Sequence, residues 1–100
     1  MDNSLHYPEL KLLIGGHALP AGNRRTLEVM DPATQAVLGR LPVATSEDID
    51  AALDSAHRSF PRWRDTPALE RAAILRRAAA LMRERTPRLA WLITRELGKP

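Results

Sequence analysis

Hydrophobic spacing in this chain changes once, at Thr45, and that change constrains the fold more than any other feature. Before Thr45 apolar residues alternate, which is the period of a strand; after it they recur at three and four residues, which is the period of a helix. A chain ordered this way is expected to be α/β, with short antiparallel strands followed by helices.

Leu10 to Ile14 is an apolar run with one lysine and reads as a strand. Gly15-Gly16 follows, and paired glycines suit the positive φ angles of a tight hairpin turn. His17 to Leu19 is the return strand, ended by Pro20, and Pro20-Ala21-Gly22-Asn23 is a loop by composition. Thr26 to Met30 alternates again. In Asp31-Pro32-Ala33-Thr34-Gln35 the Asp31 side chain accepts from a backbone N–H two residues on, and Pro32 presets φ for the second turn position. Val37 to Val43 resumes as a strand. Residues 10–44 are thus expected to form one antiparallel unit of three or four strands, after a loose lead-in over 1–9.

Residues 45–100 read as helical. Thr45 or Ser46 is a good N-cap, and Glu47, Asp48 and Asp50 complement the helix dipole. Ile49, Ala52, Leu53, Ala56 and Phe60 form the apolar stripe of this first helix. Thr66-Pro67 starts a second helix, as N-cap and N1 proline, with Ile74, Leu75, Ala78, Leu81 and Met82 as its stripe. Thr86-Pro87 repeats the device for a third helix carrying Leu89, Ile93 and Leu97. Gly98 closes that helix and Pro100 cannot continue it. With no chemistry assembled by that point, these residues are expected to open a longer enzyme whose active site lies beyond residue 100.

The chain has no cysteine, so these residues supply no disulfide, thiolate ligand or cysteine nucleophile. No run is long and apolar enough to cross a membrane, and no apolar signal core follows the polar start; a cytoplasmic protein is the default expectation. Net charge is +3, divided unevenly: residues 1–56 carry −4 and residues 57–100 carry +7. Nucleic-acid binding would require that positive charge on one face. On the second helix Arg76 and Arg83 fall opposite the apolar stripe, Arg77 lies beside Glu70 and Glu84, and Arg71 and Arg85 sit at the ends. Charge spread in this way reads as a solvated helix surface, and no nucleic-acid partner is expected.

Other constellations carry bland readings. His6, His17 and His57 have no ligand spacing and no acidic cluster beside them. Asp54, Ser55 and His57 suggest a triad in sequence, but helix neighbours one and two apart do not face each other. Glu47, Asp48, Asp50 and Asp54 are explained by the helix dipole. Gly15-Gly16 lies between strands, so it does not open a helix toward a phosphate, and there is no Gly-x-Gly-x-x-Gly or Walker loop.

The order of these signals resembles the start of the aldehyde dehydrogenases. Leu13-Ile14-Gly15-Gly16-His17 is similar to their "(F/L)-I-(N/G)-G-x-W" hairpin, though without the tryptophan. Asp31-Pro32-Ala33-Thr34-Gln35-Ala36-Val37-Leu38-Gly39 resembles "N-P-A-T-G-E-x-(I/L)-x", and Ala44-Thr45-Ser46-Glu47-Asp48-Ile49-Asp50-Ala51-Ala52 resembles "A-(T/S)-x-x-D-(V/I)-x-x-A". Trp63-Arg64, Glu70-Arg71, Ile74-Leu75, Leu81-Met82 and Glu96-Leu97-Gly98-Lys99-Pro100 continue in register, so the resemblance spans residues 10–100. Where the family has Gly, this chain has Gln35; either that position takes positive φ at a strain of about 1 kcal/mol, or the turn is rearranged.

The resemblance implies the opening part of a Rossmann-like cofactor-binding domain. It implies oxidation of a small-molecule aldehyde to a carboxylic acid with NAD or NADP, through a cysteine thioester that a glutamate-activated water hydrolyses. The cysteine, the glutamate and the cofactor contacts all correspond to positions beyond Pro100, so no catalytic, cofactor-binding or metal residue is assigned here. Some members hold a monovalent cation on strand carbonyls corresponding to Val29-Met30. The Leu-Gly-Arg-Leu-Pro strand and Arg-Ala-Ala-Ile-Leu-Arg-Arg-Ala-Ala helix look most like the bacterial succinate-semialdehyde branch. A homo-oligomer, dimer or tetramer, is implied as well. The rival expectation is a stand-alone helical interaction module without activity.

Overall fold

Seven elements follow one another in the computed structural model, which describes residues 5–100; residues 1–4 of the expected lead-in lie outside the described residues. They are β1 (Leu12–Ile14), β2 (His17–Leu19), β3 (Thr26–Met30), β4 (Val37–Pro42), α1 (Ser46–Arg64), α2 (Ala68–Glu84) and α3 (Thr86–Leu97). Strands precede helices, as the change of period requires.

The strands form two separate hairpins rather than the single unit expected. β1 pairs antiparallel with β2, Leu12 opposite Leu19 and Ile14 opposite His17, and β3 pairs antiparallel with β4. Gly15 (φ +59°) and Gly16 (φ +81°) provide the left-handed turn between β1 and β2. β2 then stops at Pro20, which has no N–H to donate to a ladder. The next turn, closed by Arg24 N–H donating to Ala21 O at 2.8 Å, redirects the chain before β3 can join it. Between β3 and β4 the register slips: Val29 faces Gly39 while Met30 faces Val37, leaving Leu38 as a bulge.

The turn between β3 and β4 is built as its residues dictate. Asp31 Oδ1 accepts from Ala33 N–H at 2.8 Å, Gln35 N–H donates to Asp31 O at 2.8 Å, and Gln35 takes φ +64°. It is the one non-glycine residue with positive φ among those described.

α1 starts at a capping box. Asp48 N–H donates to Thr45 Oγ1 at 3.1 Å, and Thr45 N–H donates to Asp48 Oδ2 at 2.8 Å. The helix runs past Phe60 and carries Pro61 inside its last turn before ending at Arg64. The two Thr-Pro caps expected next do not form. Thr66 Oγ1 donates back to Arg62 O at 2.6 Å and Thr86 Oγ1 donates back to Met82 O at 3.1 Å. Neither α2 nor α3 has a side-chain cap. The reason is proximity: each threonine follows a helix whose last carbonyls lack partners, and its hydroxyl satisfies one of those. Arg85 is at once the last cap of α2 and the first cap of α3. α3 closes on Gly98 (φ +71°), whose N–H donates to Thr94 O at 2.8 Å.

α1 lies along β1, and α2 packs on α3. Among the described residues no hydrophobic side chain is fully buried; Leu69 is 82% exposed and Leu53 65%. Polar ties hold the elements in place.

Candidate functional site

Among the described residues, three polar constellations and a hollow against α1 stand out. The first joins the loop after β2 to α1. Arg24 grips Asp48 with both ends of its fork, Nε to Oδ2 and Nη2 to Oδ1, each at 2.7 Å, while Nη1 donates to Pro20 O at 3.0 Å. Asp48, 8% exposed, also serves the capping box. The Arg24 bonds, then the Thr45 N–H, hold the Asp48 carboxyl well below the usual carboxylate range, against the cost of its burial. Asp48 in turn raises the Arg24 guanidinium above its ordinary value. The dipole reading of Glu47, Asp48 and Asp50 is therefore incomplete for Asp48, which is a bidentate anchor.

The second constellation ties the β3–β4 turn to α3. Asp31, 4% exposed, accepts from Arg95 Nη1 at 3.3 Å, and the Arg95 guanidinium lies 5.1 Å over the Trp91 ring. The Ala33 N–H is the main cause of a lowered Asp31 pKa, with Arg95 adding to it. The third crosses nearly the whole sequence: Tyr7 O–H donates to Glu96 Oε2, and Arg88 Nη1 donates to His6 O at 3.3 Å. Burial, followed by the bond to Glu96, pushes the Tyr7 hydroxyl up to about 12. Tyr7 also packs over Gly39, where a Cβ would lie 3.0 Å from its ring. His6 and Tyr7, in the lead-in expected to be loose, are in this way tied to α3, with Tyr7 crossing β4 at Gly39.

The hollow, of about 720 Å³, lies between the Gly15-Gly16 turn and α1. Ser55, Arg58, Ser59 and Arg62 come from the helix, and His17 and Ile14 from the hairpin. A Cβ on Gly15 would approach Ser55 Oγ to 3.3 Å, so the turn sits close against the helix.

The candidate triad is not brought together. Ser55 faces the hairpin, Asp54 pairs with Arg58 at 3.1 Å, and His57 stands exposed. His6 precedes β1, His17 lies in β2 and His57 in α1. No group of three or more His, Cys, Asp or Glu placed to hold a metal occurs among the described residues. At Val29–Met30 lies the register slip of the β3–β4 ladder. The one glycine pair links two strands and does not open a helix, and in the first turn of α1 the Asp48 N–H is taken by Thr45 Oγ1. Arg24 is the residue that sequence reasoning missed. Its signal was the Thr45-x-x-Asp48 box, which marked Asp48 but not its partner.

Comparison with known proteins identifies the family. Residues 19–100 match the sequence model of the Aldehyde dehydrogenase family. This chain belongs to the aldehyde dehydrogenase family. The family match begins at the end of β2, so the first hairpin lies almost wholly outside it. Among aldehyde dehydrogenase relatives, the mitochondrial methylmalonate-semialdehyde/malonate-semialdehyde dehydrogenase [acylating] of Homo sapiens is 41% identical over 92% of this chain and 17% of that protein. A 4-(hydroxymethyl)benzenesulfonate dehydrogenase of Comamonas testosteroni is 43% identical over 89% of this chain and 19% of its own length. Malonate-semialdehyde dehydrogenase 1 of Geobacillus kaustophilus is 40% identical over 90% of this chain and 18% of that protein. The chain spans less than a fifth of the length of each of these relatives. No helix among the described residues is long and apolar enough to cross a membrane.

Proposed function

We propose that this chain is the N-terminal portion of an NAD(P)-dependent dehydrogenase that oxidises a semialdehyde to a carboxylic acid. The observation that carries the reading is the family match over residues 19–100. In this reading residues 10–44 and 45–100 are the strand and helical parts of an incomplete cofactor-binding domain. The thiolate that attacks the aldehyde and the base that activates water come from beyond Pro100. The described residues then have a scaffolding role: they bind no cofactor and touch no substrate. The exposed apolar stripes of α1 and α2 are covered by the remainder of the protein.

Succinate semialdehyde is the finer proposal, drawn from the β4 and α2 sequences. The relatives named for malonate and methylmalonate semialdehydes favour a shorter chain, so the assay must compare these substrates. A cytoplasmic homo-oligomer completes the proposal; the human relative is named as mitochondrial, so cell fractionation is informative.

The test begins with the intact mass of the native gene product, then semialdehyde-dependent reduction of NAD and NADP. A mass well above 11.1 kDa with reduction by at least one semialdehyde supports the proposal. A large product inert toward all three semialdehydes with either cofactor overturns it. A native product of 11.1 kDa favours the stand-alone interaction module instead.

A further inference from the structure

The face that α1 turns toward the first hairpin has the wrong chemistry for simple packing. Ser55, Arg58, Ser59 and Arg62 fall at i, i+3, i+4 and i+7, so they share one helix face, and that face lines the hollow beneath Gly15-Gly16. A helix ordinarily presents its apolar stripe to a neighbouring element. Here Ile49, Leu53 and Phe60 stay exposed, while two guanidinium groups and two hydroxyls face the hairpin. His17 adds a third nitrogen donor from β2, and no carboxylate lines the hollow.

We propose that this hollow binds a small phosphate-bearing anion. Arg58 has its Nε engaged by Asp54 at 3.1 Å, which leaves the far side of its fork for a ligand. Arg62 forms no ion pair among the described residues. Donors arriving from two helix turns and from the hairpin suit a tetrahedral group with three acceptor oxygens better than a planar carboxylate, which a single fork satisfies. The volume of about 720 Å³ lies within the range of small-molecule sites and holds a phosphate ester as well as the free ion. Gly15 contributes by lacking a side chain, which lets the turn close on Ser55 and wall off one end.

The test is protection from an arginine-specific dicarbonyl reagent, mapped by peptide mass spectrometry on the native gene product. Inorganic phosphate and AMP are the probes, with chloride and acetate at equal ionic strength as controls and exposed Arg76 as the internal reference. At ten times its Kd, phosphate is expected to slow modification of Arg58 and Arg62 about tenfold relative to Arg76. Arg62→Gln should abolish the protection of Arg58, and Ser59→Ala should weaken it while leaving the fold intact by circular dichroism. Stronger protection by AMP than by phosphate identifies an ester as the ligand; equal protection identifies the phosphate group alone. Equal slowing at all three arginines, or slowing by chloride and acetate, reveals screening and overturns the proposal. So does an Arg58 or Arg62 that resists the reagent with no anion present, since protein then fills the hollow. The readout at these two side chains is independent of cofactor binding or turnover elsewhere.

Discussion

α1 and α2 are neighbours of similar length secured in different ways. The first turn of α1 is closed by its own residues, Thr45 and Asp48, and then clamped from outside by Arg24. The first turn of α2 has Thr66 nearby, but that hydroxyl serves Arg62 O at the end of α1. No α2 residue is buried, and Leu69, in its first turn, is 82% exposed. A threonine ahead of a helix is therefore not enough to cap it. What decides is whether the closest orphan is a donor at a beginning or an acceptor at an end. α1 is specified locally, whereas α2 depends on what packs over it.

Substitutions can test that contrast, in the native gene product and in order of expected size. Asp48→Ala should lower the thermal midpoint most, because it removes the capping acceptor and leaves Arg24 without its partner. Acid supplies a second reading. The folded pKa values of Asp48 and Asp31 lie below the unfolded value of about 3.9, so their contribution is complete above that pH and is lost as pH falls through the folded values. The difference between the parent and Asp48→Ala should accordingly shrink below about pH 4; a gap unchanged down to strong acid would contradict the ion-pair account. Leu69→Ser comes next. If the rest of a dehydrogenase covers α2, calorimetry should record a loss of about 2 kcal/mol; a solvent-facing α2 gives a change within about 0.5 kcal/mol.

Two smaller effects sharpen the comparison. Thr45→Ala should cost about 1 kcal/mol, and Thr66→Ala clearly less, since only the first threonine caps. Equal losses would remove the distinction between the two helices. Gln35→Gly should stabilise by about 0.5 kcal/mol by relieving left-handed backbone strain. At alkaline pH, Tyr7, raised to about 12, keeps its proton where the unfolded chain loses it near 10. Its contribution is thus complete below about pH 10 and disappears as pH rises toward 12. A difference titration against Tyr7→Phe should place its phenolate band there, and Glu96→Gln should lower it.

How much of this was legible in the sequence depended on the range of the interaction. The Asp31 turn and the α1 cap close within five residues, so residue chemistry alone identifies them. The Arg24–Asp48 grip spans 24 positions and Tyr7–Glu96 spans 89, and such pairs leave no periodic trace. The division into two hairpins was hidden for a related reason: strand patterning shows which residues alternate, but not whether the second strand and the third are neighbours. At the hollow, the i, i+3, i+4, i+7 row of Ser55, Arg58, Ser59 and Arg62 was present in the sequence. The apolar stripe on the same helix masked it, because burial was assumed to follow hydrophobicity.

The shared cap at Arg85 makes the junction of α2 and α3 an elbow with no slack. One added residue at that point would rotate every α3 side chain by about 100° around the helix axis and advance it by about 1.5 Å. Arg95 and Glu96 would both turn away from Asp31 and Tyr7, and two ties made far apart in the sequence would fail together. Length at this joint is thus under stricter constraint than residue identity, and an insertion there should be far more damaging than any single replacement of Arg85.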